Sequence, residues 1–439
     1  MKTFSKADFA TSLQVVWAKA RPVLEAIAIN RSLNYVTGEF INQLADSVEN
    51  IANSRDQKSD SVVIEEVVTI AKRLASVFSD VLEGKKVYVL DGMHGGILFN
   101  NFFPGMAAPN REWAGYKDFP EGYEEFDWPE FAFNKVEDAL AVARSSGGKI
   151  SLQIGMSTFD ALAGYYPTFI KTVKDAWAEG YIELVDGAYA DTYDLLLGAE
   201  ANVRNYCLGM VTAEKLFGHR PVILARQEIG WHPQLPQFLK QMGYAGVVLR
   251  TRFPNIVPSF PYGMMHWRGL DGVNIPCLPA TEGIPTGDYI GGIFYNQVLR
   301  DIITAKKTPE NFIVLTNLED LISPIEGRQE FFLTAARGHT AGFLCTYSEF
   351  FALAGSPTKE QYISRDQFYV NWECQPGGER WKRAFLYNLI KPTEYALLVL
   401  EKMATLNFLI QSKTNSEELD NHQYLWKTFL QATTHNIFS

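Results

Sequence analysis

Residues 222–249 contain the pattern that most restricts how this chain can fold. An apolar run at 222–224 ends in a polar cluster at 226–228. A segment with apolar residues at helical spacing follows, and a second apolar run occupies 247–249. Strand, polar loop, helix and strand in this order form the repeating unit of a parallel α/β fold.

The same alternation recurs along the chain from residue 86 onward. Short runs typical of β-strands are separated by segments that are mostly long enough for a helix. Seven such runs with helical crossovers predict an α/β fold of the closed or nearly closed (β/α)7-barrel type, and a doubly wound open sheet is the alternative. The predicted strands are residues 87–90, 150–154, 182–185, 222–225, 246–249, 313–316 and 341–347.

Both ends of the chain have a helical pattern. In the first part, apolar residues recur at a spacing of three to four, and a polar patch at 53–60 divides the helical region. Near the other end, the amphipathic pattern continues on both sides of Pro392. We therefore predict an N-terminal helical segment at 1–84, a catalytic barrel at 85–355 and a C-terminal helical segment at 356–439.

Residues 264–279 depart from the alternation of strands and helices. Two β-like runs flank Leu270, Asp271 and Gly272, and Asp-Gly is a frequent hairpin turn. The segment predicts an inserted β-hairpin and not a further layer of the barrel. Asp271 is accordingly interpreted as a turn former and not as a catalytic residue.

Composition restricts the classes of function. A chain of 439 residues with 47% hydrophobic and 21% charged residues is typical of a globular protein with a large core. The net charge of -10 argues against a nucleic-acid surface, which needs clustered Lys and Arg. The sequence has no apolar run of about 18 residues, and Asp8 stands where the apolar part of a signal peptide would begin. We therefore expect a cytoplasmic protein with no membrane or nucleic-acid partner; the oligomeric state stays open.

Cysteines and aromatic residues give two further expectations. The four cysteines are far apart and form no CxxC pair, which predicts reduced thiols. Aromatic residues make up 13% of the chain, and many of them lie in predicted loops. Because sugar rings stack on aromatic faces, this content is consistent with a carbohydrate ligand, and a large aromatic core is the alternative.

Polar side chains follow four of the predicted strands, where parallel α/β folds place their chemistry. Cleavage of a glycosidic bond needs one carboxylate at the anomeric carbon and another that protonates the leaving oxygen. Glu228 after the fourth strand and Glu319 or Asp320 after the sixth are a candidate pair across the mouth of a barrel. The other polar groups at these strand ends are Asp91, His94, Asp186, Asp191, Asp194, Arg226, Gln227, His232 and Asn317.

The candidate acids also have structural interpretations. A single acid at a strand end is often a helix cap or an ion-pair partner, and this applies to Glu228. Glu319 and Asp320 could begin the helix after the sixth strand, because acids are favoured in the first turn of a helix.

The same alternatives hold for the basic residues. His94 could bind substrate or could hold the backbone of a tight turn. Arg226 and His232 are candidates for contacts with substrate hydroxyls or for orienting the neighbouring acid. A zinc site is not predicted, because the seven histidines form no HxH or HExxH motif and His94 is followed by Gly95 and Gly96.

Several of these segments resemble glycoside hydrolase family 57. Residues 228–243 are similar to its nucleophile motif, which has the form E-C-A-Y-S-P-G-L before a helix. Residues 180–184, with 188–189, resemble the preceding G-x-(I/V)-E-(I/L) motif that families 57 and 38 share. Residues 313–326 are similar to the family 57 acid motif, with Asn317 in place of its Asp.

Other segments resemble family 38, the α-mannosidases. Residues 253–254 and 266–272 resemble its F-x-W-x-G-x-D-G segment, and residues 235–237 and 347–351 are similar to other parts of this family. The metal ligands of this family are largely replaced. Its H-x-D motif keeps His94 but has Gly96 in place of Asp, and its metal-binding nucleophile aligns with Gln227.

The resemblance covers residues 85–400 and implies a retaining, metal-independent glycoside hydrolase or transglycosylase with an α-linked sugar or glucan as substrate and no cofactor. It implies Glu228 as the nucleophile and Glu319, Asp320 or Asp191 as the acid. A catalytically inactive barrel that binds a glycan or a protein is one alternative; a zinc-dependent α-mannosidase-like enzyme and a metal-dependent deacetylase are others. The implied substrate-binding residues are His94, Tyr189, Arg226, Trp231, His232 and Trp267.

Overall fold

In the computed structural model, a mixed α/β region of mainly parallel strands lies between two helical segments of the sequence. Asp91, Gln227, Glu228, Asn317 and Cys374 lie outside the described residues. The structure describes residues 6–29, 31, 33–81, 86–90, 92–94, 128–146, 148–226, 231–249, 257–280, 310–316, 318–320, 343–368, 380–411 and 416–434.

Three helices that pack on one another precede the first strand. They are α1 (Lys6–Ile29), α2 (Gly38–Ser54) and α3 (Asp60–Val81). The side chain of Thr37 caps α2 by accepting a hydrogen bond from the backbone N–H of Phe40 at 3.2 Å. As the polar patch predicts, α2 ends and α3 begins between residues 53 and 60. The buried residues of α2 recur at helical spacing and are Ile41, Leu44, Val48 and Ile51.

The described strands form three sheets. Their orders are β11-β1-β9, β10-β2-β3-β4 and β12-β7-β8-β6-β5, and among these described pairs all but β7–β8 are parallel. All seven positions predicted as strands are confirmed. In chain order the strands are β1 (Lys86–Leu90), β2 (Gly92–His94), β3 (Ile150–Gln153), β4 (Ile182–Val185), β5 (Ile223–Ala225), β6 (Gly246–Val248), β7 (Met265–Arg268), β8 (Asn274–Leu278), β9 (Phe312–Thr316), β10 (Glu319–Asp320), β11 (Phe343–Leu344) and β12 (Glu360–Tyr362).

Helices alternate with these strands, because a parallel neighbour can be reached only by a crossover connection. Two further helices follow the last strand. The chain continues through Pro392 as a single helix, although the sequence predicts helix on both sides of it. The remaining helices are α4 (Trp128–Ser146), α5 (Met156–Tyr165), α6 (Pro167–Ala178), α7 (Ala199–Phe217), α8 (Leu235–Gln241), α9 (Tyr347–Ala354), α10 (Arg380–Gln411) and α11 (Ser416–Gln431).

The predicted hairpin is present as β7 and β8. Its turn contains Gly272 at a φ of 83°, a conformation that glycine adopts readily. The side chain of Asp271 accepts a hydrogen bond from the backbone N–H of Val273 at 3.1 Å, which supports its interpretation as a turn former. In addition, β8 pairs with β6 in parallel, with Val247 opposite Cys277, so the hairpin is joined to the parallel sheet.

Alternate residues of the strands enter two different apolar clusters. Leu184 and Leu224 belong to the cluster that contains the surrounding helices, whereas Val185 and Ile223 belong to a second one. The second cluster also contains Val314, and its residues come from strands of all three sheets. Strands that bury one face against helices and the other against each other are typical of a filled barrel interior.

Two general features complete the fold. Within the described ranges, no helix is long and apolar enough to cross a membrane. No disulfide bond joins the described cysteines Cys207, Cys277 and Cys345, of which Cys207 is exposed.

Candidate active site

The carboxyl ends of four parallel strands bring polar side chains together. His94 is the last residue of β2, and Gln153 is the last residue of β3. Asp186 follows β4 directly, and Arg226 follows β5 directly. Because these strands point in one direction, the side chains meet at one edge, as the sequence predicts for the strand ends.

Arg226 lies at the centre of a buried ionic cluster. Its Nε donates to both carboxylate oxygens of Asp186, at 2.9 and 3.0 Å, and its Nη1 donates to Asp194 at 3.1 Å. The same Nε lies 3.8 Å from Asp191 Oδ1. The side chain of Arg226 has an exposed fraction of 0%. We refer to Arg226, Asp186, Asp191 and Asp194 as the Arg226 cluster.

The backbone that carries Asp186 is held in an uncommon conformation. Asp186 has a φ of 73°, in the left-handed region that a non-glycine residue rarely adopts, and Gly187 follows at 80°. The hydroxyl of Tyr244 donates to the carbonyl oxygen of Asp186. A Cβ atom at Gly209 of α7 would lie 2.0 Å from the carbonyl oxygen of Gly187, so the loop is pressed against that helix.

Helix α7 fixes the rest of this loop through side chains on one face. The hydroxyl of Tyr206 donates to Asp194 Oδ2 at 2.9 Å, and its ring lies 5.3 Å from the guanidinium carbon of Arg226. Asn205 accepts from the backbone N–H of Ala190 at 2.8 Å and donates to the carbonyl oxygen of the same residue at 2.9 Å. The loop is therefore tied to the helix by hydrogen bonds at several positions.

The charges of the cluster do not cancel, because three carboxylates surround one guanidinium. Burial raises the pKa of Asp186 to about 6; Arg226 opposes this shift and Asp191 adds to it. Burial would lower the pKa of Arg226, but Asp186 and Asp194 raise it well above its usual value. The cluster thus holds a permanent cation beside a carboxyl group whose pKa burial raises above its ordinary value.

Gln153 connects His94 to this cluster. His94 Nδ1 and Gln153 Oε1 form a buried hydrogen bond. The amide nitrogen of Gln153 donates to Asp186 Oδ2 at 3.4 Å and to Asp191 Oδ2 at 3.5 Å. Since the amide oxygen accepts only, Nδ1 of His94 is the donor in this arrangement.

His232 lies in the segment between β5 and α8 and is buried. Its Nδ1 accepts a hydrogen bond from the backbone N–H of Gln234 at 3.3 Å, which places the proton on Nε2. Burial lowers the pKa of His232 to about 4, and Asp194 partly opposes this shift. The ring is therefore neutral at pH 7, and its Nε2–H finds no partner among the described residues.

The three aromatic residues expected to stack on sugar rings are buried in this structure. Trp231, Trp267 and Tyr189 have exposed fractions of 1%, 0% and 2%. The hydroxyl of Tyr189 donates to Asp160 at 3.3 Å, and the ammonium of Lys427 lies 5.2 Å from its ring centre. In contrast to the expectation, none of these three rings presents an open face to a ligand.

The candidate acids occupy different parts of the structure. Glu319 and Asp320 form β10, so they continue a strand and do not begin a helix. In the parallel pairing with β2, Asp320 stands opposite His94, which brings its main chain to the same strand ends. Asp191 is buried within the Arg226 cluster, and Glu228 lies outside the described residues.

The structure adds three residues that the sequence does not single out. Gln153 could be found from its position at the end of a predicted strand. Tyr206 and Tyr244 lie on and after helices, and only the fold brings them to the cluster. No local sequence signal points to either tyrosine.

Comparison with known proteins agrees with the predicted resemblance. Residues 154–300 match the family model of the glycosyl hydrolases family 38 N-terminal domain. This matched range contains the whole Arg226 cluster and covers about a third of the chain.

Three solved structures share the fold. An alpha-mannosidase from Enterococcus faecalis V583 superposes with a TM-score of 0.54 at 18% identity, covering 80% of this chain and 38% of that chain. For the 4-alpha-glucanotransferase from Thermococcus litoralis the TM-score is 0.50 at 13% identity, with 79% and 55% covered. The branching enzyme of glycoside hydrolase family 57 type from Pyrococcus horikoshii gives 0.50 at 10% identity, with 79% and 84% covered.

The predicted likeness to the superfamily of glycoside hydrolase families 57 and 38, and the α/β fold with mainly parallel strands, are therefore confirmed, and closure of the strands into a (β/α)7 barrel stays a prediction. The chain spans 38% of the length of the mannosidase. Separately, a dephospho-CoA kinase from Chlamydia trachomatis serovar D is 36% identical over 66 residues, which are 15% of this chain and 32% of that protein. A match of that length indicates local similarity and not a shared activity.

The zinc ion implied by the family 38 resemblance does not fit the described side chains. No group of three or more His, Cys, Asp or Glu in the described ranges is placed to hold a metal ion. Three carboxylates do converge, but the guanidinium of Arg226 occupies the position between them where a cation would sit. His94 Nδ1 in turn is hydrogen-bonded to the side-chain amide of Gln153.

Proposed function

We propose that this protein is a retaining, metal-independent glycoside hydrolase or transglycosylase that acts on an α-linked sugar or glucan. The observation that carries the proposal is the Arg226 cluster at the carboxyl ends of parallel strands, in a fold shared with an alpha-mannosidase and a 4-alpha-glucanotransferase. In such folds this edge is where substrates bind.

Glu228 is the proposed nucleophile. It follows Arg226 by two residues, so the fixed guanidinium anchors the beginning of the segment that carries it. In a retaining mechanism this carboxylate attacks the anomeric carbon, and the glycosidic oxygen leaves with a proton from an acid. Water or a second sugar then displaces the enzyme carboxylate, which distinguishes hydrolysis from transfer.

Asp191, Glu319 and Asp320 are the candidates for the acid. Asp191 lies within the cluster, where its Oδ1 is 3.8 Å from Arg226 Nε and its Oδ2 accepts from the amide nitrogen of Gln153 at 3.5 Å. Asp320 is supported by its register opposite His94. Asp191 or Asp320 would supply the leaving oxygen with a proton from the edge that holds the cluster, and Glu319 is the residue next to Asp320 in β10.

The remaining polar residues bind and orient the sugar in this proposal. The neutral ring of His232 offers an N–H group suited to a hydroxyl oxygen, and this group would keep its protonation state across the pH range of most enzymes. His94 is proposed as a second hydroxyl contact. The positive charge of Arg226 stabilises the carboxylates around it and does not act on the sugar directly.

The test is turnover of a panel of aryl α- and β-glycosides and α-glucans in the presence of a chelator. Wild-type protein and Glu228→Gln are compared with Glu214→Gln, a matched control whose carboxylate lies on the surface and pairs with Arg220. We expect chelator-resistant cleavage in wild type and control and at least a 100-fold loss in Glu228→Gln. Loss of cleavage in the chelator, or equal activity of all three proteins, would contradict the proposal.

A catalytically inactive glycan-binding barrel is the second candidate. Three replaced positions favour it: Asn317 stands in place of the Asp of the family 57 acid motif, and Gly96 and Gln227 stand in place of two metal-binding residues of family 38. Calorimetric titration with the same sugars separates the two candidates. If at least one sugar of the panel binds and none is cleaved, the inactive barrel is supported. Cleavage that requires Glu228 would exclude it.

A further inference from the structure

The C-terminal helix α10 is apolar on two opposite sides. On one side, Ile390, Glu394 and Leu397 are buried against the rest of the protein. The opposite side carries six large apolar side chains that are exposed to solvent. This apolar stripe consists of Tyr395, Val399, Met403, Leu406, Leu409 and Ile410.

The buried side of α10 is fixed in place by hydrogen bonds to other helices. Glu394 accepts from the backbone N–H groups of Gly198 and Ala201 at the beginning of α7, at 2.8 and 3.3 Å. Glu401 accepts from Arg204 at 2.8 Å and from the indole N–H of Trp426 at 3.0 Å. These contacts set the rotation of α10, so the apolar stripe faces outward and cannot turn inward.

The spacing of the apolar stripe is that of a helix-packing surface. From Tyr395 to Leu409 the residues follow one another at steps of three and four, and Ile410 follows Leu406 by four, which keeps them on a single face. Only Lys402 interrupts the stripe with a charge, and a lysine stem can lie along an apolar surface. A helix that is apolar on both sides is normally buried on both sides.

The exposed area matches that of a protein interface. Ile410 is 81% exposed and Tyr395 is 69% exposed, values that are unusual for such large apolar residues. The six exposed side chains of the stripe together offer on the order of 600 Å² of apolar surface. A standard interface buries about 800 Å² on each partner, so one more copy of the same surface would be sufficient to cover it.

We infer that this protein forms a homodimer in which the apolar stripes of two copies pack against each other. The two copies of α10 would then pack along their stripes and share an apolar core, and each α11 would stay on the inner side of its own α10 through the Glu401–Trp426 hydrogen bond. A two-fold arrangement needs only one self-complementary surface, which is what a straight apolar stripe provides. The inference is independent of the proposed catalytic function.

Sedimentation velocity over a range of concentrations of the full chain tests this inference. Leu406→Glu places a charge in the stripe, and Leu353→Glu is a matched control on α9 because the two leucines are 53% and 54% exposed. We expect a wild-type and control dimer at micromolar concentration and at least a tenfold weaker association in Leu406→Glu, with unchanged circular dichroism and thermal unfolding of the monomer.

Three results would overturn the inference. If wild-type protein is monomeric at tens of micromolar, the stripe does not bind a second copy, and a different partner would have to cover it. Equal association in Leu406→Glu would place the interface elsewhere, and equal dissociation in Leu353→Glu would indicate a nonspecific effect of surface charge. Because Leu406 is half exposed, the variant is expected to fold, and its circular dichroism checks this directly.

Discussion

Two buried carboxyl groups, Glu183 and Asp186, lie within or next to the same strand, and different partners offset the free-energy cost of burying each of them. Glu183 lies within β4, and Asp186 follows its last residue. Burial raises the pKa of both groups. The contrast between them distinguishes a structural acid from one that belongs to a candidate active site.

Glu183 is compensated by a helix end and by neutral donors. Its two oxygens each lie 3.2 Å from the backbone N–H of Ser348 in the first turn of α9, and Oε2 accepts from the Ser151 hydroxyl at 3.4 Å. The positive end of a helix dipole stabilises such a carboxylate. These hydrogen bonds oppose the effect of burial on the pKa of Glu183. The group ties a strand to a helix and serves the fold.

Asp186 is compensated by a full positive charge that it shares with two other acids. Arg226 pairs with Asp186 and Asp194, and Asp191 lies close by. The backbone of Asp186 is also strained, with a φ of 73°. Strain and surplus charge are destabilising, and proteins keep them mainly where they serve a site. The comparison therefore supports the carboxyl end of β4 as part of the candidate site and the middle of β4 as part of the packing.

Removal of the cation is expected to have the largest effect. Arg226→Met leaves buried carboxylates without their partner, which lowers the free energy of unfolding by roughly 3–5 kcal/mol. Chemical denaturation measures this, with Arg220→Met as the control because its pair with Glu214 is exposed and worth under about 1 kcal/mol. Equal losses in the two variants would remove the distinction between the buried cluster and the surface.

The pH dependence of stability sharpens the comparison next. The pKa of Asp186 is about 6 in the folded protein against 3.8 as its ordinary value, so folding favours the protonated form. Its contribution is fully present below pH 3.8 and is lost as the pH rises through 6. Relative to Asp186→Asn, wild-type protein should therefore lose up to roughly 3 kcal/mol of unfolding free energy between pH 4 and pH 7.

Urea denaturation of both proteins at several pH values in this window measures the difference. The raised pKa of Asp186 would be contradicted if the difference in unfolding free energy between the two proteins stays constant with pH. A difference that shifts in favour of wild-type protein as the pH rises would contradict it as well. The same series of urea denaturations on Glu214→Gln shows how much the removal of one carboxylate from the surface changes the result.

Substitution of the structural acid should have a smaller effect, and on stability alone. Glu183→Gln weakens the hydrogen bonds to the first turn of α9, which costs about 2 kcal/mol of unfolding free energy. The rate of sugar turnover per folded molecule should stay within threefold of wild type. If catalysis falls while stability does not, Glu183 belongs to the site, and the proposed difference between the two acids is wrong.

The smallest expected effect concerns the tyrosine that holds Asp194. Tyr206→Phe removes the hydroxyl that donates to Asp194 at 2.9 Å but keeps the ring over the guanidinium of Arg226. A loss of roughly 1.5 kcal/mol of unfolding free energy is expected, as for a hydrogen bond to a charged group. A loss as large as that of Arg226→Met would mean that the ring and hydroxyl, not the ion pairs, hold the cluster together.

The strands and the hairpin could be predicted from the sequence because each depends on a pattern of neighbouring residues. All seven strand positions follow from short apolar runs, and the hairpin follows from the Asp-Gly turn. The pairing of β8 with β6 could not be predicted, since it depends on which sheet edge the hairpin meets. Likewise, Pro392 does not mark a helix boundary, because packing outweighs the local preference.

The site is predictable only in part, for a related reason. Asp191 and Arg226 stand out because polar residues at strand ends are conspicuous after apolar runs. That they form one ionic cluster depends on distances across four strands, and Tyr206 reaches it from a helix. Exposure is a further property of the whole fold, which is why Trp267 and Tyr189 are buried although they were expected to line a binding surface.

The most direct test is to compare Glu228→Gln and Glu183→Gln in the turnover of a glycoside that wild-type protein cleaves in the presence of a chelator. We expect at least a 100-fold loss of kcat in Glu228→Gln, with unchanged circular dichroism, and a change of no more than about threefold in Glu183→Gln. Equal activity of the two variants, or cleavage that stops when metal is removed, would contradict a metal-free active site at the Arg226 cluster.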